Sequence, residues 1–204
     1  MNIDCLITFG CSHSFYNYIN KTSYTDIISE KYNCNFYNYS ENGNSNENIF
    51  HTVVERLEEY KFTYRRYPSH VVVQWSHPCR KLYVETDGSK KFITPHDSPE
   101  LGLKWEPVGT YQTINYQYIL QEYFKINKIK YVMWNFFNTN ITPPNEKLID
   151  KSKFIKPEFG YESFFDYIRE NNLARDEHGH PNVEGHEYLG MRIIKKFESY
   201  EYLH

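Results

Sequence analysis

The chain has 204 residues and a formal net charge of −3, long enough to bury a core without disulfides or metal. No long basic run is present to follow a phosphate backbone, which argues against a nucleic-acid partner, and no apolar run approaches the roughly 20 residues of a membrane span. The N-terminus lacks the basic-then-apolar pattern of a signal peptide, and the cysteines at 5, 11, 34 and 79 form no Cys-x-x-Cys pair, so reduced thiols and a cytoplasmic location are expected.

In chain order, Cys5-Leu6-Ile7-Thr8-Phe9 reads as a short buried strand that stops at Gly10. Ser12 follows, and in an open parallel sheet ligands collect just beyond the carboxyl ends of strands. A serine so placed can offer its hydroxyl and its backbone N–H to a carbonyl group, with Gly10 expected to let the backbone turn sharply. Taken alone, the same residues also read as a serine-rich turn capping a helix. Apolar side chains at Tyr24, Ile27, Ile28 and Tyr32 have helical spacing, with Thr22 and Ser23 as candidate caps. A second strand is expected over 35–39, a polar loop centred on Gly43 over 40–48, and a helix over 47–60. The β-branched run Val71-Val72-Val73 predicts a third strand, over 70–75, buried on both faces.

From Cys79 to Pro107 the alternation of strand and helix is interrupted. Residues 81–85 and 90–94 read as a β-hairpin about Asp87-Gly88, and the whole 79–107 stretch is expected to be an insertion that overhangs the site as a lid or selects substrate. A helix over 110–127, a fourth strand over 130–136, a mostly irregular 138–160 and helices over 161–171 and 183–200 complete the chain. This alternation predicts one α/β domain over 1–204, a three-layer α/β/α sandwich about a mostly parallel sheet, because parallel neighbours need right-handed crossovers.

Asp176-Glu177-His178-Gly179-His180-Pro181-Asn182-Val183-Glu184-Gly185-His186 bears on the role of Ser12. With Gly10-Cys11-Ser12, and with Asn42-Gly43-Asn44-Ser45 after the second strand, it resembles the SGNH/GDSL hydrolases, whose blocks run in this order. In that family the last block is an acid, two residues, then His-Pro-Asn, and the third strand ends in Gly-x-Asn-Asp; here the third strand ends in Gln74-Trp75-Ser76-His77-Pro78. The resemblance implies a flavodoxin-like sheet and serine hydrolysis of a small-molecule or glycan acyl ester, O-acetyl esters among them, without a cofactor.

A serine hydroxyl needs a base near neutrality, which points to His180, fixed at a loop–helix junction by Pro181. The family spacing puts the orienting acid at Glu177, whereas the usual side chain is one residue earlier, at Asp176; register ranks Glu177 first. The oxyanion would be met by the N–H groups of Ser12 and Gly43, with His77 at the family's Asn position and Ser76 as its alternative. Cys11 stands where the family has Asp, and Arg80 is a candidate for an anionic substrate group. Two rival readings stay open: a metal hydrolase built on His178, His180 and His186 with Asp176 and Glu177, and a binding or structural protein with an inactive site.

Overall fold

The computed structural model describes residues 3–14, 23–93, 99–138 and 141–200, with the backbone alone over 99–104. In chain order the elements are β1 (Cys5–Gly10), α1 (Tyr24–Tyr32), β2 (Asn35–Ser40), α2 (Asn46–Tyr64), β3 (His70–Trp75), β4 (Lys81–Val84), β5 (Lys90–Ile93), α3 (Pro99–Ile126), β6 (Lys130–Asn135), α4 (Phe164–Glu170) and α5 (Val183–Ser199). Short 3-10 turns occupy Pro144–Leu148 and Lys151–Lys153. Thr22 and Thr94, read from the sequence as a cap and a strand end, lie outside the described residues.

β1, β2, β3 and β6 pair in parallel in the order β2-β1-β3-β6. Successive side chains of a strand point to opposite faces, and here both faces are covered. Leu6, Val72, Val132 and Trp134 pack with Tyr24 and Ile28 of α1, Ile168 of α4 and Leu189, Ile193 and Phe197 of α5. Their neighbours Ile7, Phe9, Val71, Val73 and Met133 pack with Ile49, Val53 and Leu57 of α2 and Leu120 and Phe124 of α3. Each such aliphatic side chain stabilises the fold by about 1.5–3 kcal/mol when fully buried. The result is the expected α/β/α sandwich. β1 lies inside the sheet with β2 on one side and β3 on the other, so its carboxyl end, where Ser12 follows, is the point at which strand order reverses.

Two features differ from the sequence reading. α3 begins at Pro99 and runs through Pro107, so the described residues of the 79–107 stretch are a hairpin over 81–93 and, from Pro99, the opening turns of a long helix. Gly109 explains part of this: a Cβ there would fall 2.0 Å from the carbonyl oxygen of Pro78, so glycine lets α3 lie directly on the loop after β3. Within the irregular 138–160 stretch, Ile155 N–H donates to Met133 O at 3.1 Å beside a parallel Met133–Phe154 bridge, the trace of a further strand beyond β6. The hairpin itself leans on the start of α2, where Lys90 Nζ donates to Asn48 Oδ1 at 2.9 Å.

Candidate active site

The loop after β1 is held by neutral amides. A Cβ on Gly10 would lie 2.6 Å from both Gln74 Oε1 and Ser14 Oγ, so glycine is required here by close approach rather than by a sharp turn. Gln74, buried at the end of β3, accepts from Cys11 N–H at 2.8 Å and from the Ser14 hydroxyl at 3.0 Å, and donates to Trp75 O at 2.7 Å. Tyr24 OH donates to Ser14 Oγ at 2.9 Å, and Asn38 Nδ2 to Ser14 O at 3.0 Å. From the loop after β2, Asn44 Nδ2 reaches Gly10 O at 3.0 Å. Asn46 accepts from Ser76 N–H at 2.6 Å and donates to Ser76 O at 3.1 Å, while Ser45 caps α2 by accepting from Asn48 N–H. Gly43, in a left-handed conformation with φ 72°, thus sits in a loop pinned to the ends of both β1 and β3.

The other half of the site comes from the loop before α5. Arg175 N–H donates to His180 O at 2.7 Å and Gly179 N–H to Asp176 O at 3.1 Å, closing a turn whose Gly179 has φ 73° and faces the Phe165 ring. Asn182 then caps α5, its side chain accepting from Gly185 N–H at 2.8 Å. This turn brings His180 to Ser12 across the sheet end: Nε2 lies 2.9 Å from Ser12 Oγ, and Nδ1 lies 2.9 Å from both carboxylate oxygens of Asp176. A proton on Nδ1 facing the carboxylate leaves Nε2 to accept from the serine hydroxyl.

The carboxylate against His180 is Asp176, not the first-ranked Glu177. Glu177 is 85% exposed and has His178 Nε2 at 3.8 Å. Asp176 stands one residue further from His180 than the family register would put the acid, and the turn at Gly179 absorbs that residue. Asp176 also accepts from the backbone N–H groups of His178 at 3.1 Å and His180 at 3.2 Å, and from Arg175 Nε at 3.3 Å. Burial pushes its carboxyl up, but the bonds from His180 outweigh this and hold it below its ordinary value. Burial pushes the His180 imidazole down, the neighbouring His13 ring pushes it further, and Asp176 offsets only part of this.

His77 accepts from Cys79 N–H on Nδ1 at 3.1 Å, so the neutral ring carries its proton on Nε2. Ser76, the alternative donor, is 4% exposed, and its hydroxyl has no hydrogen-bond partner among the described residues. Arg80 lies over the Phe137 ring at 6.0 Å, and its Nε and Nη1 are buried without a partner among the described residues. A cavity of about 660 Å³ opens beside this group, between the ends of β3 and β6, lined by Ser76, Thr110, Gln117, Asn135 and Phe137 among others. Phe137 stands between it and the histidines, edge-on to His77 at 5.2 Å and to His13 at 5.4 Å.

The three histidines of the rival metal reading are dispersed. His186 is buried near Tyr24, His178 is largely exposed, and among the described residues no three His, Cys, Asp or Glu side chains converge as a metal site. Gln74, Asn46 and His13 escaped the sequence reading. Gln74 does carry a signal, a polar side chain inside a strand buried on both faces, which must find partners.

No protein-family profile matches the chain, and no curated protein matches it in sequence. Solved structures do match. The esterase EstA from Pseudoalteromonas sp. superposes with a TM-score of 0.59 at 13% identity, over 97% of this chain and 98% of that one. A catalytic mutant of Axe2, an acetylxylan esterase from Geobacillus stearothermophilus, gives 0.60 at 13% over 96% and 95%. A lipolytic protein of the G-D-S-L family from Desulfitobacterium hafniense DCB-2 gives 0.53 at 14% over 94% and 98%. End-to-end coverage at so low an identity, with the reversal of strand order at β1, makes the fold of this chain that of the SGNH/GDSL hydrolases, in a divergent form.

Proposed function

We propose that the chain is a metal-independent serine ester hydrolase with Ser12 as nucleophile, His180 as general base and Asp176 as the group that orients it. The observation that carries this reading is the continuous run of 2.9 Å contacts from Ser12 Oγ through the His180 ring to Asp176. In the reaction, Ser12 Oγ attacks the ester carbonyl carbon while its proton passes to His180 Nε2. The imidazolium so formed is stabilised by Asp176, which stays ionised. Collapse of the tetrahedral intermediate breaks the bond to the alcohol oxygen, which takes the proton from Nε2. Water, deprotonated by the same nitrogen, then releases the acid and restores Ser12.

The oxyanion would be met by the backbone N–H groups of Ser12 and Gly43, aided by His77 through Nε2–H or by the unpartnered hydroxyl of Ser76. Arg80, with buried unpaired donors, suits an anionic group on the substrate. The adjoining cavity suits the alcohol or glycan part of an ester, an assignment in keeping with the acetylxylan esterase among the structural relatives. Over the Gly43 loop the β4–β5 hairpin would act as the lid of a single catalytic domain.

Labelling with a fluorophosphonate probe, in parallel with turnover of p-nitrophenyl acetate with and without chelator, tests the assignment. Labelling and turnover that vanish in Ser12→Ala and survive chelator are expected. Turnover lost to chelator without labelling would replace this reading with a metal hydrolase, and neither labelling nor turnover would leave a binding protein.

A further inference from the structure

His13, a second buried imidazole, faces His180 and has no part in the reaction as written. It is 1% exposed, and its ring is stacked on His180 with centroids 4.7 Å apart and planes 18° apart. It also stacks on Phe136 at 3.7 Å. His13 Nε2 lies 3.2 Å from the backbone oxygen of His178, an acceptor only, so that nitrogen bears a proton. Its other nitrogen, Nδ1, lies 3.1 Å from Cys11 Sγ, and the two share one proton. The bond to His178 joins the loop that carries Ser12 directly to the loop that carries Asp176 and His180.

We propose that His13 is a positioning residue for His180: it fixes the plane and the loop of the general base, and by setting a second imidazole against it disfavours the protonated, inactive form. The proposal rests on the reading of His180 as the base. Several titratable groups surround the stacked pair. Cys11 comes from the same loop as His13, Tyr24 from α1, Arg80 from the segment after β3, His186 from α5, and Arg175, Asp176 and His178 from the loop before α5. Asp176 and an ionised Cys11 favour positive charge on the two rings, whereas Arg80, Arg175 and each ring acting on the other oppose it. Burial pushes the Cys11 thiol up, but His13 overcomes this and holds it well below the ordinary thiol range. Burial pushes the His180 imidazole down, and the His13 ring stacked against it pushes it further.

The test compares His13→Phe and His13→Gln with the native chain. Phenylalanine keeps a ring to stack but neither hydrogen bond, and glutamine can still donate to His178 O but cannot ionise. The readouts are kcat, KM and the pH profile of kcat/KM on p-nitrophenyl acetate, with fluorophosphonate labelling alongside. The acid limb is expected to move to higher pH in both His13 variants. Loss of the bond between the loops should lower kcat about tenfold in His13→Phe with KM little changed, and less in His13→Gln. Should His13→Phe not fold, His13→Gln decides through its acid limb. Labelling that persists while every folded variant keeps the native limb overturns this proposal alone. Absence of labelling and turnover in the native chain overturns the hydrolase reading and this proposal with it.

Discussion

Replacing Asp176 by Asn and Glu177 by Gln separates two adjacent carboxylates by the contacts each makes. Asp176 meets His180 Nδ1 with both oxygens at 2.9 Å. An asparagine of the same shape can still accept from the backbone N–H groups of His178 and His180, so the loop should keep its form. Its amide NH2, however, turned toward Nδ1, holds the imidazole in the tautomer with the proton on Nε2. That nitrogen then cannot take the Ser12 proton. In Ser-His-Asp triads this wrong-tautomer effect lowers kcat by about 10⁴, or about 5 kcal/mol of barrier. Glu177, 85% exposed, lies 3.8 Å from His178 Nε2; its replacement should stay within about 0.5 kcal/mol, roughly twofold in rate. Steady-state kinetics on p-nitrophenyl acetate, with active sites counted by fluorophosphonate titration, gives both values. A drop of less than tenfold in Asp176→Asn, or a larger drop in Glu177→Gln, would refute the argument from geometry.

The turn that sets this spacing and the buried His186 give two more tests. Gly179→Ala places a Cβ 2.7 Å from the Phe165 ring at φ 73°, a left-handed conformation that by itself costs about 1–2 kcal/mol. A lower Tm and a fall in kcat are expected together, and native values of both would show that the turn does not set the acid–base distance. His186 is held neutral by burial, its pKa pushed down to about 3 from 6.5. Because the unfolded chain takes up this proton first, stability should decline as pH falls from 6.5 toward 3, by roughly 5 kcal/mol over the whole window. Urea denaturation across that range should show a shallower decline for His186→Gln, and an equal slope would remove His186 from the account.

The framework of the fold is legible where hydrophobic pattern and secondary structure agree. Val71-Val72-Val73 is a strand because its β-branched side chains fill both faces of a covered sheet, and Tyr24, Ile28 and their neighbours fall on one face of a helix. Legibility ends where tertiary contact overrides local preference. The sequence reading ends an insertion at Pro107 and begins a helix at Thr110, yet α3 passes through Pro107 and Gly109, the glycine serving close approach to Pro78. The strand trace at Phe154 rests on a single bridge to Met133 and leaves no periodic pattern. At the site, Ser12 and His180 could be named because each stands beside a marker, a glycine after a strand and a proline before a helix. Register ranks Glu177 first, yet the carboxylate in contact with His180 is Asp176, because distance along the chain does not reveal a left-handed turn at Gly179. The contacts of His13 with His180 and Phe136 leave no mark in the sequence, because they depend on rings brought from other parts of the chain.

The neutrality of the side chains that join the ends of β1, β2 and β3 has a consequence for the conditions under which the site stays assembled. Gln74, Asn38, Asn44 and Asn46 join them through carboxamides, which do not titrate and are not screened by dissolved ions. The framework around Ser12 should therefore keep its shape across ionic strengths that dissolve exposed pairs such as Lys31–Glu198. Salt would then act on catalysis through the few charged groups, Asp176, Arg175 and Arg80, rather than through disassembly of the loops. A rate that changes with ionic strength would report on those charges, with the scaffold beneath them as a constant.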